Sequence, residues 1–291
     1  MIDPADQFES TSPPAETHRV ACPVFAPGRL YRQLRLDSGL RWSMFLTLGV
    51  FFALSSLWTG EGSEYAVVIL IVIVAVLWIT VGSATARVTQ QLGRITELMS
   101  ADPEQAEAVL AGAVRRRLLQ RPVRLLLYHR LAMLRHRQRR LSESAAICRA
   151  LLGLPRSLPR EVRAHLLMLL AEAQLEYQDL AGAHSSLLGL HNMSLNLLEE
   201  LQRLTLQLRY EVSAGHDQPA LSGVGKKLRL AELLPPVQCG MVHLLLATAA
   251  KRAHRAGLAD WLERRAALLC SPDQIEQFAG HGWMTVQLPT L

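Results

Sequence analysis

The chain has 291 residues, of which half are apolar and only 19% are charged, and its mean hydropathy is +0.16. A disordered chain needs low hydrophobicity and high net charge, so this composition excludes one. Soluble domains carry about a quarter charged residues, so an ordinary soluble globule is also disfavoured. Lysine plus arginine exceeds aspartate plus glutamate by 31 to 25, which makes the chain basic.

The N-terminal region is predicted to contain a disordered tail and a basic segment. Residues 1–28 hold five prolines among serine, threonine and acidic residues, a composition typical of a chain without a fixed fold. Residues 29–41 place arginines and leucines at helical spacing, with Asp37 as the one acidic residue. This basic juxtamembrane segment either fixes membrane topology or lies with its arginines near lipid phosphates.

Two uncharged runs follow, at residues 42–60 and 65–86. Because a helix rises about 1.5 Å per residue, each run is long enough to cross a hydrocarbon core of roughly 30 Å. The aromatic residues Trp42, Trp58 and Tyr65 fall at the depth of the membrane interface, where such rings are favoured. The pattern therefore predicts a hairpin of two transmembrane helices. A buried core helix is the alternative for each run.

The charges that flank these runs predict the orientation of the hairpin. Arginines precede the first run and follow the second, whereas the short external loop, residues 61–64, holds two acids and no base. Positively charged flanks remain in the cytoplasm, so we expect both termini there. The preference for arginine over lysine suggests a GC-rich genome. We therefore expect an integral protein of a bacterial inner membrane.

The remainder of the chain is predicted to be helical. From Arg87 onward, helical periodicity and capping signals recur, and we find no run of strict alternation that would indicate a strand. Short loops between amphipathic helices imply antiparallel neighbours. We assign residues 87–120 to juxtamembrane helices, residues 121–280 to a helical domain and residues 281–291 to a C-terminal tail. The expected fold class is all-α.

Within the helical domain, large and small residues recur on pairs of predicted helices. Small residues allow two helix axes to approach closely, so they mark sites of repeat packing. The positions are Leu131, Ala132 and Ser144 in one copy, and Leu170, Ala171, Ala183 and Leu187 in the next. This pattern resembles the tetratricopeptide repeat, although the copies are 39 residues apart rather than that family's 34. Two degenerate copies follow, at about residues 195–230 and 236–270.

The resemblance implies a tetratricopeptide-like (TPR-like) array of α-hairpins. In such an array each hairpin leaves an apolar face that the next one covers, and the stack presents an extended surface for protein partners. The full expectation is a transmembrane hairpin followed by a cytoplasmic TPR-like array. A generic helical bundle is the alternative.

A basic stretch begins the helical domain. Between Arg115 and Arg140 there are ten arginines and no acid, interleaved with leucines. We expect its exposed members to contact anionic lipid or an acidic protein partner, with a merely solvated helix face as the alternative. The candidate contact residues are Arg115, Arg116, Arg117, Arg121, Arg124, Arg135 and Arg139. Nucleic acid is disfavoured, because no recognition motif is present and aromatic residues are few.

The sequence carries no recognisable catalytic, cofactor or metal motif. Its cysteines lack C-x-x-C spacing, and its histidines form no H-E-x-x-H set. Residues 222–227 resemble a phosphate-binding loop, but the first glycine and the final serine or threonine of that motif are missing. Glu172 and Glu176 share a helix face, and we interpret them as exposed surface charges. We predict no enzyme, no cofactor and no bound metal.

These observations favour a membrane-anchored scaffold or adaptor. It would recruit a protein partner to the cytoplasmic membrane face, with possible contact to anionic lipids and none to nucleic acid. The alternative is an accessory subunit of a larger membrane complex, for transport or for an enzyme, in which the spans pack on partner helices. A third possibility is an enzyme whose site the sequence does not reveal.

Overall fold

The computed structural model describes residues 27–57, 63–115, 120–154 and 158–280. Within those ranges all regular secondary structure is α-helical, which confirms the all-α prediction. The helices are α1 (Pro27–Leu57), α2 (Ser63–Ala101), α3 (Pro103–Arg115), α4 (Arg121–Arg137), α5 (Leu141–Leu152), α6 (Arg160–Glu176), α7 (Leu180–His191), α8 (Leu197–Ser213), α9 (Asp217–Leu221), α10 (Val224–Ala231), α11 (Pro236–Arg252), α12 (Ala256–Leu269) and α13 (Pro272–Gly280).

The predicted membrane anchor is contradicted. In the part of the chain that the structure describes, no helix combines the length and the apolarity that a membrane crossing requires. The prediction rested on two uncharged runs, on the aromatic residues near their ends and on the charges that flank them. The described part of the first run, residues 42–57, belongs to α1, and the second run belongs to α2; the rest of each helix carries charged residues. The transmembrane hairpin, the integral-membrane localisation and the inner-membrane assignment were therefore wrong.

The three aromatic residues that were expected at a membrane interface lie in different places. Trp42 lies on α1 with 72% of its surface exposed, in a stretch of α1 that also exposes Phe45. Tyr65 lies in the first turns of α2. Trp58 falls outside the described residues, as do the predicted tail up to residue 26 and the C-terminal tail, residues 281–291.

The N-terminal half of α1 packs against the helical domain. Leu30 is fully buried in a core cluster formed mainly by α4, α5 and α6. The side-chain oxygen of Gln33 accepts hydrogen bonds from the Tyr128 hydroxyl at 2.6 Å and from the Arg124 guanidinium at 3.2 Å. The basic segment at residues 29–41 is thus part of a helix that contacts protein.

The C-terminal half of α2 continues the fold toward α3 and α4. Val88, Ile95 and Met99 are spaced at helical intervals and are buried together with Ala106 and Leu110 of α3. The Asp102 carboxylate caps α3, because it accepts from the backbone N–H groups of that helix's first turn. The region assigned to juxtamembrane helices therefore forms an apolar cluster with α4.

From α4 onward the helices form antiparallel hairpins in chain order. We call α4, α6, α8 and α11 the leading helices, because each opens a hairpin; all four have 17 residues. Their second helices are α5, α7, the broken pair α9–α10, and α12. Each leading helix packs on its own second helix and also on the next leading helix.

The four hairpins share one turn geometry. Two residues after each leading helix ends, a residue adopts a left-handed conformation, namely Arg139, Gln178, Gly215 and His254, with φ between 56° and 72°. The backbone N–H of the residue after it donates to the carbonyl five positions earlier, at 2.7 to 2.9 Å. This is the Schellman arrangement that closes a helix C-terminus. Four successive hairpins thus repeat one local structure, although only one of the four turns uses glycine.

Small residues lie where the helices of a hairpin approach. Ala132, Ala171 and Ala183 are fully buried, and the hydroxyl of Ser144 donates to the backbone carbonyl of Ala132 at 2.9 Å. In the last hairpin, a side chain at Gly240 would collide with the sulfur of Cys270. These contacts agree with the close approach that the sequence pattern predicts. Membership of the tetratricopeptide family itself remains a prediction.

Candidate functional site

A groove crosses three successive leading helices, and its lining comes from equivalent faces of them. On α6 and α8 the residues follow the i, i+3, i+4, i+7 spacing of one helix face. The groove has a volume of about 230 Å³. It is lined by His165, Met168, Leu169 and Glu172 of α6, by Gln202, Thr205, Leu206 and Arg209 of α8, and by Gln238 and Met241 of α11.

The lining divides into rows that run across the helices. His165, Gln202 and Gln238 occupy the first position of the three faces and form a row of uncharged hydrogen-bonding groups. Met168, Thr205 and Met241 form the next row, followed by leucines on α6 and α8. The groove therefore combines methionines and leucines with polar side chains, and its neutral polar groups lie along one edge.

A pair of histidines continues the first row toward α4. The Nε2 atom of His129 lies 2.7 Å from Nδ1 of His165, so one ring donates a hydrogen bond to the other. Burial lowers the pKa of His129 to about 3, with further contributions from His165 and from the charge of Arg130. Burial, followed by the charge of Arg130, also lowers the pKa of His165. Both rings are consequently neutral at pH 7.

An ion ladder crosses α4, α6 and α8 at the other end of these faces. Nε2 of His136 lies 3.2 Å from Glu172, whose other carboxylate oxygen lies 3.6 Å from the guanidinium of Arg209. Arg209, only 4% exposed, also pairs with Glu176 at 2.9 Å. On the far side of α6, Arg139 lies 3.9 Å from Glu176. Two carboxylates and two guanidinium groups therefore balance across three helices.

The environment of Glu172 favours its ionised form. Burial alone would raise the pKa of its carboxyl group, but the hydrogen bond from His136 and the charges of Arg209 and Arg139 outweigh burial and lower it. Glu172 is thus a charged member of the groove whose charge is compensated by its neighbours. The interpretation of Glu172 and Glu176 as free surface charges was incomplete, because both brace neighbouring helices.

The candidate basic residues do not form one surface. Arg115 is exposed at the end of α3, and Arg121 is half-buried at the start of α4. Arg124 and Arg135 are only 2% and 1% exposed. Arg139 is largely exposed and belongs to the ion ladder. Arg116 and Arg117 lie outside the described residues.

The two buried arginines use their guanidinium groups within the fold. Arg124 donates to the carbonyl of Val114 at 3.2 Å as well as to α1. Arg135 pairs with Glu107 of α3 at 2.9 Å and with Glu143 of α5 at 3.0 Å. Because these partners are internal, Arg124 and Arg135 hold helices together and are not available to lipid or to an acidic partner. The sequence count of ten arginines overstated the exposed positive charge.

The residues predicted to mediate repeat packing are all buried at hairpin contacts. They are Leu131, Ala132, Ser144, Leu170, Ala171, Ala183 and Leu187. Sequence reasoning missed the groove residues, above all His165, Gln202, Arg209 and Gln238. The available signal was their nearly constant separation: His129 and His165 are 36 positions apart in the chain, and the later members of the row follow at almost the same interval.

The metal-ligand types, the thiols and the loop-like motif considered in the sequence can now be placed in the structure. They contain no group of three or more histidine, cysteine or acidic side chains placed to hold a metal ion. Burial raises the pKa of the Cys148 thiol to about 12, and it also raises the pKa values of Cys239 and Cys270, so these thiols stay protonated. In the loop-like motif, the ammonium of Lys227 donates to two backbone carbonyls at 2.8 Å, so this lysine is used within the fold.

Comparison with known proteins found no match: no protein-family model, no curated protein and no solved structure matches the chain.

Proposed function

We propose that this protein is a non-enzymatic scaffold that binds a segment of a partner protein in the groove across α6, α8 and α11. The observation that carries the proposal is the lining itself. Three successive leading helices contribute equivalent faces to one groove, as expected when stacked α-hairpins of the TPR-like type present a binding surface. An extended partner crossing the helices would meet each face in turn.

The composition of the groove supports a protein partner over a small substrate. Its floor combines methionines and leucines, and methionine side chains adapt to differently shaped apolar groups. Its polar members are amides, a hydroxyl and a neutral imidazole, which bind by hydrogen bonding. No lining thiol and no convergent set of unpaired charged groups is seen in the described part of the groove. These features suit recognition and provide no means of activating a substrate.

Site-specific photo-crosslinking in the source cells tests this proposal. A photoreactive p-benzoylphenylalanine replaces Gln202, which is exposed in the groove, or Ser185, which is exposed on α7 and contributes nothing to the groove. We expect a discrete cross-linked protein from position 202 that mass spectrometry identifies and that is absent from position 185. A protein captured equally from both positions, or from neither, would contradict a binding role for the groove.

A further inference from the structure

The chemistry of the groove also restricts what kind of segment it accepts, an inference that rests on the proposed function. The restriction comes from the row formed by His165, Gln202 and Gln238, which we call the neutral row. Gln202 and Gln238 are exposed, and His165 is held by the contact with His129. An amide side chain carries two N–H donors and an acceptor oxygen, and the imidazole of His165 keeps one ring nitrogen, Nε2, besides the one that contacts His129. Such groups match the N–H and C=O groups of a peptide backbone.

The spacing of the neutral row matches an extended chain. Packed helices lie about 8–10 Å apart, and an extended peptide rises about 3.3 Å per residue. One step from helix to helix therefore corresponds to about three peptide residues. A segment that crosses α6, α8 and α11 would meet one neutral hydrogen-bonding side chain at about every third residue.

The charged side chains of the groove are paired within the fold, so they do not favour a bound segment that carries charge. Glu172 and Arg209 pair with each other, and each has a further partner: Glu172 lies beside Nε2 of His136, and Arg209 pairs with Glu176. A lysine or glutamate of a bound segment would lose hydration beside the methionines and leucines of the groove without finding an unpaired counter-charge. An uncharged segment avoids this loss.

The groove has room for an apolar side chain. Met168, Leu206 and Met241 line it from three helices, and the groove's volume of about 230 Å³ accommodates a side chain of leucine, methionine or phenylalanine size. We infer that the groove binds an extended, uncharged peptide segment of a partner protein. Its backbone hydrogen-bonds to the neutral row, and one of its apolar side chains enters the cavity.

Selection from a peptide library tests this specificity. The probe is an mRNA-displayed library of random 12-residue peptides, selected on the immobilised full-length chain. We expect the enriched peptides to contain, over a central stretch of about six residues, at least threefold fewer charged residues than the unselected library. That stretch is expected to include a leucine, methionine or phenylalanine.

Two variants link the selected peptides to the neutral row. Gln202→Ala and Gln238→Ala each remove one exposed hydrogen-bonding group, so both should fold with unchanged circular dichroism. Each substitution should lower the affinity for the enriched peptides about three- to tenfold, which is the usual effect of losing one neutral hydrogen bond. Gln105→Ala, which removes an exposed glutamine of α3, is the matched control and should leave binding unchanged.

The possible outcomes separate this inference from the proposed function. If the enriched peptides are charged and bind more weakly to the two glutamine variants, the preference for an uncharged segment is wrong, but the groove remains a binding site. Peptides that bind equally well to both glutamine variants would bind elsewhere, and would overturn the inference and count against the proposed function. A library that enriches nothing overturns the inference as well.

Discussion

The buried histidine pair makes the stability of this fold depend on pH, and the dependence can be calculated for His129. The pKa of His129 is about 3 in the folded chain because burial disfavours the charged ring, against 6.5 for an unperturbed histidine. A proton therefore binds the unfolded chain more tightly than the folded one. Below pH 6.5 the unfolded state gains this proton and the folded state does not, so stability falls as the pH falls.

The size of the effect follows from the two pKa values. Between pH 7.5 and pH 5, His129 alone should lower the free energy of unfolding by about 2 kcal/mol, at 1.36 kcal/mol for each pKa unit. The pKa of His165 is lowered as well, so it adds a loss of the same sign. Because the two rings are in contact, the measured slope belongs to the pair.

Replacing His129 by glutamine isolates its contribution. Glutamine keeps a hydrogen-bonding group toward His165 but does not titrate. Urea unfolding followed by circular dichroism at pH 7.5 and pH 5 should show that His129→Gln loses about 2 kcal/mol less on acidification than the parent chain. Ser185→Ala, at an exposed and non-titrating position on α7, is the control and should lose as much as the parent. An equal loss in the parent and in His129→Gln would refute the argument.

Three further predictions concern stability at neutral pH, measured by urea unfolding. Arg209→Met leaves two carboxylates of the ion ladder without their buried counter-charge and should lower the free energy of unfolding by about 3 kcal/mol. The control Arg203→Met, at a partly exposed ion pair within α8, should lower it by under about 1 kcal/mol. Equal losses in the two variants would show that the ladder does not stabilise the packing of these helices. Gly240→Ala should cost about 2 kcal/mol because the new methyl group meets Cys270, while Gly257→Ala has open space and should cost nothing; a neutral Gly240→Ala would contradict the close approach. Gln178→Gly should raise stability by about 1 kcal/mol, since it relieves a left-handed backbone; a loss of stability would mean that the side chain contributes more than the backbone strain costs.

Much of the fold was predictable because it depends on local signals. Capping residues mark several helix starts; the Asp179 side chain, for example, accepts from the backbone N–H of Gly182 at the start of α7. Small residues such as Ala171 and Ala183 indicated where helices pack closely. The uncharged runs were a poorer basis for predicting membrane helices. An uncharged run does not show how far its helix extends beyond it or what the ends of that helix contact.

The sites of charged residues were much less predictable. Arg124 and Arg135 belong to a conspicuous basic stretch, yet both are buried beside partners that lie 8 to 91 positions away in the chain. Composition cannot show that Gln33 or Glu107 will be the partner, because that depends on how α1 and α3 fold back onto α4. The groove was hidden for the same reason: its rows appear only when successive leading helices are placed side by side.

The same helix face carries different chemistry in successive hairpins, and this difference separates support from recognition. On α4 the first-row residue, His129, is buried and bonded to its neighbour, whereas on α8 and α11 the corresponding glutamines are exposed. The ion ladder likewise joins α4, α6 and α8 through Arg209, at the end of the faces opposite the neutral row. The N-terminal hairpins therefore form a braced base, and if the groove binds a partner as we propose, we expect its contacts to concentrate over α8 and α11. Substitution at Arg209 should consequently lower stability first, while substitution at Gln238 should lower binding without lowering stability.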